Sequence, residues 1–299
     1  MAVQFENLVN YVQENRLPLI KDFVLKGKSI GLMNLQTDIK TSAKLNLLST
    51  DVVFGDGNGC GWDAAGDVTF SQRELKTGLV KVNMSFCDKD FRKYWMQYEV
   101  KTAAGMKTLP FEQDFIEGIT AKVADAKERA VWQGDVESDE NNLKYFDGLL
   151  KLIGAEDEVI KPEIAEGTSV YDAIRKVYMA IPEEILEKAV IYVGADTFRS
   201  FIQEMVDKNL YHYSADNSNQ EFVLPATNVK VVALNGLNGT KKIVGTYAEN
   251  LFYGCDLVND SEVLDFWYSK DNQEFRLAIE FNAGTQVAHP DKVVMATLS

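Results

Sequence analysis

Residues 50–87 read TDVVFGDGNGCGWDAAGDVTFSQRELKTGLVKVNMSFC, and the fold turns on how this stretch is understood. Its centre, FGDGNGCGWDAAGD at 54–67, holds five glycines and three aspartates in fourteen positions. Glycine opens backbone conformations closed to other residues, so such a segment could cradle a phosphate, hold a calcium ion, or simply turn the chain between extended arms.

Local chemistry separates the three uses. Gly59-Cys60-Gly61-Trp62-Asp63-Ala64 has the outline G-x-G-x-x-A, but a dinucleotide fingerprint needs a helix N-terminus after it, and DVTFSQREL is strand-like. There is no P-loop Lys-Ser/Thr, and the aspartates would repel phosphate. For calcium, Asp56 would stand first in an EF-type loop, Asn58 third, Cys60 fifth, Gly61 sixth and Asp67 twelfth. Cysteine is a poor donor for a hard cation, aspartate is shorter than the usual bidentate glutamate, and the flanks TDVVF and VTF are β-branched and aromatic where helices are required. Asp56, Asn58 and Asp67 therefore make a defective calcium set, and a Gly/Asp-rich turn between extended arms is the better reading. Beyond it Val80-Lys81-Val82-Asn83-Met84 alternates apolar and polar, so residues 50–87 are expected to form a two-armed β excursion that buries little within its own subunit.

The rest of the chain supplies a body for that excursion. At 299 residues and 46% hydrophobic content it can bury a substantial core. No stretch approaches the roughly 20 apolar residues of a membrane span, and MAVQFENLVNYVQENR lacks the basic-then-apolar order of a signal peptide, which points to a cytoplasmic product. Cys60, Cys87 and Cys255 show no C-x-x-C spacing and read as reduced thiols rather than a disulfide framework or zinc site. With 31 basic against 45 acidic residues the net charge is −14, and the scattered cations argue against a nucleic-acid binder that works by neutralising phosphates.

Periodicity places the elements. Phe5, Leu8, Val9 and Val12 mark a short helical face that LPLIKDFVL continues, an N-terminal arm needing something to pack on. Phe111, Phe115, Ile119, Val123, Ala126 and Ala130 recur at helical spacing from Pro110 to the stop at Gly134-Asp135; Gly118 within this helix suggests a neighbour approaching closely. Ser169 and Asp172 read as a capping box opening a helix through Val170, Ile174 and Val177 that ends at Pro182. AVIYVG at 189–194 is a buried strand, and 196–208 an amphipathic helix with Phe198, Phe201, Ile202, Met205 and Val206 inward. VKVVAL, KKIVGTYAENLFYG, VLDFWYS, EFRLAIEF and VVMATL read as strands, and Asn238-Gly239-Thr240 as a hairpin turn.

Catalytic chemistry is thin. His212 shares a loop with Ser214 and Asp216, but three such close neighbours are poorly placed to form a triad, and His289 precedes Pro290 at a turn. The acidic clusters at 156–158 and 183–184 read as solvated faces.

Taken in order, residues 50–95, FEQDFIEGITAKVADAKERAVWQGD (111–135), NNLKYFDGLLKLI (141–153), ENLFYGCDL (249–257) and VLDFWYSKDNQEFRLAIEFNAGTQVAHPDKVV (263–294) resemble a tailed-phage major capsid protein over most of the chain. The resemblance implies the Hong Kong 97 capsid fold, an α+β architecture. It divides the chain into an N-terminal arm (1–48), an extended loop (49–88), a peripheral domain (89–167 and 256–288) with a spine helix at 111–133, and an axial domain (168–255 and 289–299). It also implies that the extended loop lies over the adjacent subunit, which makes Trp62, Phe70, Arg73, Lys76 and Lys81 candidate subunit-interface residues. Some members cross-link a loop lysine to a neighbour's asparagine; nothing local marks a partner for Lys76 or Lys81, and no cross-link is assigned.

By the same resemblance the protein is structural rather than an enzyme, and needs neither cofactor nor metal. It would assemble with itself through pentamers and hexamers into an icosahedral shell, in the host cytoplasm and then as part of the virion. The shell would enclose double-stranded DNA without sequence-specific binding. A scaffolding protein, a portal and decoration proteins are the further partners implied, with scaffolding either separate or already removed. Two alternatives stay open: an encapsulin-like compartment shell of the same fold, and a calcium- or carbohydrate-binding β protein built around residues 54–67.

Overall fold

In the computed structural model the described residues are 11–54, 66–87, 89, 93, 111–210, 221–225, 227–256 and 264–298. Two five-stranded sheets share one helix. The first sheet has the order β1 (Asn34–Gln36), β9 (Leu251–Cys255), β11 (Glu274–Val287) and β10 (Leu264–Ser269), with β4 (Gly78–Cys87) also paired to β11. The second has the order β12 (Val294–Thr297), β8 (Lys242–Tyr247), β5 (Ala189–Gly194), β7 (Lys230–Leu234) and β6 (Glu221–Val223). A separate ladder joins β2 (Ser42–Val52) to β3 (Gly66–Lys76).

The shared helix is α2 (Phe111–Gln133), with the limits its periodicity predicts. Ile116, Ile119, Val123, Val131 and Trp132 on α2 are buried in one cluster with Phe275, Leu277, Ile279 and Phe281 of β11 and with Tyr192, Val232 and Val244 of the second sheet. Strand β11 supplies its share by strict alternation: Phe275, Leu277, Ile279 and Phe281 point to the core and Arg276, Ala278, Glu280 and Asn282 to the other face. Gly118 does not mark a close approach, since nothing among the described residues lies within 4 Å of where its Cβ would be.

The opposite face of the second sheet carries α4 (Val170–Ala180) and α5 (Ala195–Asp207), with Ile174, Val177, Phe201 and Met205 packed on Ile191, Val193, Val231 and Ile243. Strand β5 is hydrophobic without alternation because it serves both layers: Ile191 and Val193 face these helices while Tyr192 faces α2. The Ser169 hydroxyl caps α4 by accepting the Asp172 N–H at 3.2 Å. Val206, expected inward on α5, is exposed, one step past the face that Phe201 and Met205 define.

Two strand readings need correction. KKIVGTYAENLFYG is two strands in two sheets, since β8 belongs to the second and β9 to the first, and a short 3-10 turn at Ala248–Asn250 makes the change. The buried side chain of Asn250 fastens this corner: Nδ2 donates to Thr246 Oγ1 at 3.1 Å and to the His289 carbonyl at 2.9 Å, and Oδ1 accepts the His289 N–H at 2.7 Å. The chain returns from β11 to β12 at His289, so one asparagine ties both crossings. The Asn238-Gly239-Thr240 segment is likewise not a hairpin turn, because β5 lies between β7 and β8.

The N-terminal segment finds its packing partner inside its own chain. Leu19, Ile20, Phe23 and Val24 of α1 (Arg16–Leu25) are buried in the main cluster beside α2, as is Val12 in the helical turn that precedes it. Helix α3 (Leu149–Ala155) completes that cluster through Leu149, Leu150 and Ile153.

Candidate interaction surface

The two-armed excursion is present but shifted from the 50–87 expected. Its arms are β2 and β3, registered from Ser42 opposite Lys76 to Val52 opposite Gly66. Residues 78–87 form β4, which leaves the hairpin and runs along β11 from Cys87 opposite Glu274 to Gly78 opposite Ala283.

Opposite residues of an antiparallel ladder share a face, so the register assigns the hairpin's two sides. At the root, the face carrying Ala43, Leu45, Arg73 and Leu75 is apolar and turned to the body. Leu45 and Leu75 are 7% and 0% exposed and pack with Ile39. Arg73 forms an ion pair with Glu156, and Gln286 Nε2 donates to the Glu74 carbonyl at 2.6 Å. The other side of the root is polar, with Asn46 and Gln72 joined at 2.9 Å.

Further out the polarity changes sides. Leu48 lies opposite Phe70, Thr50 opposite Val68 and Val52 opposite Gly66, all in phase with Asn46–Gln72 and so on the face that is polar at the root. Leu48, Val52, Val68 and Phe70 are 58%, 67%, 50% and 80% exposed, and Phe54 just beyond is 94% exposed. On the other side of the distal half, Asp67, Thr69 and Ser71 of β3 are polar and exposed, with Leu47 opposite Ser71 the apolar exception. An apolar face on a projecting element, opposite in direction to the one the body covers, is the kind of exposed surface that in folded proteins marks an interaction site.

The root is held by close backbone approach. A Cβ on Gly284 of β11 would stand 2.1 Å from the Lys76 carbonyl oxygen, and one on Gly78 would stand 1.9 Å from that of Tyr145, so both positions require glycine. Beside them a groove of about 560 Å³ is lined by Arg73, Lys76, Tyr145, Asp147 and Gln286 among others. The loop that walls it is braced by Lys151, whose amine reaches Asp135 at 2.6 Å and Asp147 at 2.8 Å. These contacts hold the Lys151 amine above its ordinary range, and the hydrogen bond from Lys151 is the first cause that lowers the Asp135 carboxyl.

Of the interface candidates read from sequence, Phe70 lies on the distal apolar face. Arg73 and Lys76 lie at the root, Arg73 on Glu156 and Lys76 on Glu74 at 3.6 Å. Lys81 lies on β4, paired across strands with Glu280. Trp62, and Asp56 and Asn58 of the calcium set, lie outside the described residues, as do His212, Ser214 and Asp216; Asp67 is exposed at the distal end of β3. Leu48, Val52, Phe54 and Val68 were missed. Their signal was the run Val52-Val53-Phe54, which cannot all turn inward on a strand, but it becomes a face only once the register is known.

Among the described residues no group of three or more His, Cys, Asp or Glu side chains could hold a metal ion, and no helix is long and apolar enough to cross a membrane. Cys87 is exposed and Cys255 buried, both free thiols.

No protein-family model matches the sequence, and no curated protein matches it. Solved structures do match over nearly the whole chain. The alignment with a chain of the satellite phage P4 procapsid including size determination (Sid) protein covers 99% of this chain and 91% of that one, at a TM-score of 0.61 and 12% identity. With Gordonia phage Cozz the values are 92%, 87%, 0.58 and 12%, and with the virus-like particle from Pyrococcus furiosus 95%, 98%, 0.53 and 10%. At such identities the likeness is one of architecture, and this chain is folded as tailed-phage capsid proteins are.

Proposed function

We propose that this chain is the major capsid protein of a tailed phage, a structural subunit that self-assembles through pentamers and hexamers into an icosahedral shell around double-stranded DNA. The observation that carries this reading is the distal hairpin face of Leu48, Val52, Val68 and Phe70, apolar, projecting and exposed, with no contact partner outside the hairpin among the described residues, on a fold shared with phage capsids. Such a surface gains by association with a second copy, and heterologous contacts of this kind close into rings. On this reading β11 and α2 belong to the peripheral domain, and the sheet containing β5 to the axial domain. Scaffolding, portal and decoration proteins would be the other partners, and the acidic balance of −14 suits a lumen that does not grip its DNA.

The likeness to a virus-like particle from Pyrococcus furiosus supports one second reading, a compartment shell of the same fold that encloses protein. Negative-stain electron microscopy of the purified chain tests both. Closed shells or five- and six-fold rings are expected, and nucleic acid or protein within shells isolated from the native source separates the two readings. A monomer that persists at high concentration and with scaffolding proteins supplied would overturn them together.

A further inference from the structure

The segment VALNGLNGTKK at 232–242 holds two Asn-Gly pairs, Asn235-Gly236 and Asn238-Gly239, and the hairpin surface uses neither. Asparagine before glycine is prone to cyclise on itself, because a glycine without Cβ lets its nitrogen reach the asparagine side chain. The nitrogen loses its proton and attacks the side-chain carbonyl carbon. A C–N bond forms and ammonia leaves; water then opens the resulting succinimide to aspartate or isoaspartate.

Both glycines are demanded by the backbone. Gly236, in the 3-10 turn Asn235–Leu237, lies against the buried stretch of α2 that holds Lys127, Glu128 and Trp132. A Cβ there would stand 2.4 Å from the Glu128 carbonyl oxygen and from Trp132 Cδ1. Gly239 has a φ of +74°, in the left-handed region that favours glycine. The fold therefore imposes the reactive pairs, and protection has to come from contacts.

Those contacts fall on the reacting atoms of the second pair. Asn238 Oδ1 accepts the Ala195 N–H at 2.7 Å, which ties the side chain under attack to the first residue of α5. The Gly239 N–H, whose nitrogen is the nucleophile, donates to Asp196 Oδ2 at 2.9 Å, while Oδ1 of the same carboxylate accepts the Thr197 N–H at 2.7 Å. An amide that faces a carboxylate gives up its proton less readily, since the anion left behind would meet a like charge. From α2, Gln133 Nε2 donates to the Gly236 carbonyl at 2.6 Å and to the Asn238 carbonyl at 3.3 Å. A Cβ on Gly194 would stand 2.8 Å from the Leu237 carbonyl oxygen, so the end of β5 closes on the turn as well.

We propose that Asn238 is a deamidation site held closed by Asp196, and that it converts to aspartate or isoaspartate only when the turn between β7 and β8 leaves the start of α5. Isoaspartate would add a methylene group to the main chain of this turn and displace the oxygen that Ala195 uses, so α5 would lose its anchor. Asn235 shares the turn but not Asp196, and serves as an internal reference.

Mass spectrometry of the aged, unassembled protein tests this without reference to the proposed function. Wild type, two Asp196 variants and a synthetic peptide of residues 232–242 are kept warm in mildly alkaline buffer, and amide-to-acid conversion is followed at each asparagine. Wild-type Asn238 should convert at least about a hundredfold more slowly than in the peptide, because several hydrogen bonds must open first. Asp196→Ala should speed conversion at Asn238 by about tenfold and leave Asn235 unchanged. Asp196→Ser, whose hydroxyl can still cap the helix but is one bond too short for Gly239, should do the same, and it decides if the alanine variant does not fold. Conversion of wild-type Asn238 at the peptide's rate, a wild-type rate kept in the folded Asp196 variants, or an equal rise at Asn235 would each overturn the proposal.

Discussion

Leu45 and Leu75 lie buried at the root of the β2–β3 hairpin, while Leu48 and Phe70, a few residues further along the same ladder, stand exposed on the opposite face. Backbone pairing is continuous from Ser42–Lys76 to Val52–Gly66, so strand propensity does not distinguish the two halves. What differs is the partner. The root has its own chain beneath it, with Ile39, Glu156 and Gln286 in contact; the distal half has none among the described residues. Equally apolar residues thus contribute to folding at one end and, on the proposed function, to association at the other.

Substitutions can break that contrast, and they fall in order of their expected effect on the unassembled subunit. Leu75→Ala removes a fully buried side chain and should cost about 2–5 kcal/mol, read as a lower urea midpoint at unchanged slope. A loss below about 1 kcal/mol would mean that the root is no part of the core. Arg73→Ala removes an ion pair whose side chains are 22% and 33% exposed; screening limits its cost to about 0.2–1 kcal/mol, and that cost should shrink with added salt. Phe70→Thr keeps a strand-forming residue and should change subunit stability by no more than about 0.5 kcal/mol. On the proposed function it nonetheless prevents assembly in electron micrographs and sedimentation. Normal shells from Phe70→Thr would remove the distal face from the argument.

Helix α2 was legible from Phe111 to Gln133 because its apolar positions hold one phase for six turns, and the cap of α4 because Ser169 and Asp172 satisfy each other locally. The β8–β9 segment was not: KKIVGTYAENLFYG is uniformly strand-like, and the reason it divides is Asn250, whose partners Thr246 and His289 lie on different segments. The surface was legible in part. Phe70 was among the interface candidates that the resemblance implied, but Leu48 and Val68 join it only through a register that the apolar pattern does not set, because neither face of the distal half is buried.

Composition and periodicity by themselves determined a long helix, an extended excursion carrying a glycine-rich turn, and a second layer of strand and amphipathic helix; the α+β class came with the resemblance. These rest on interactions within a few residues, where spacing and geometry coincide. Tertiary structure alone decided which sheet each strand enters, why Lys127 and Glu128 can be buried side by side, and which side of the hairpin is left uncovered. Each of those depends on atoms brought together from about a hundred residues away or more, as Lys127 meets Phe23 and Gln286 meets Glu74, and no local pattern encodes such a partner.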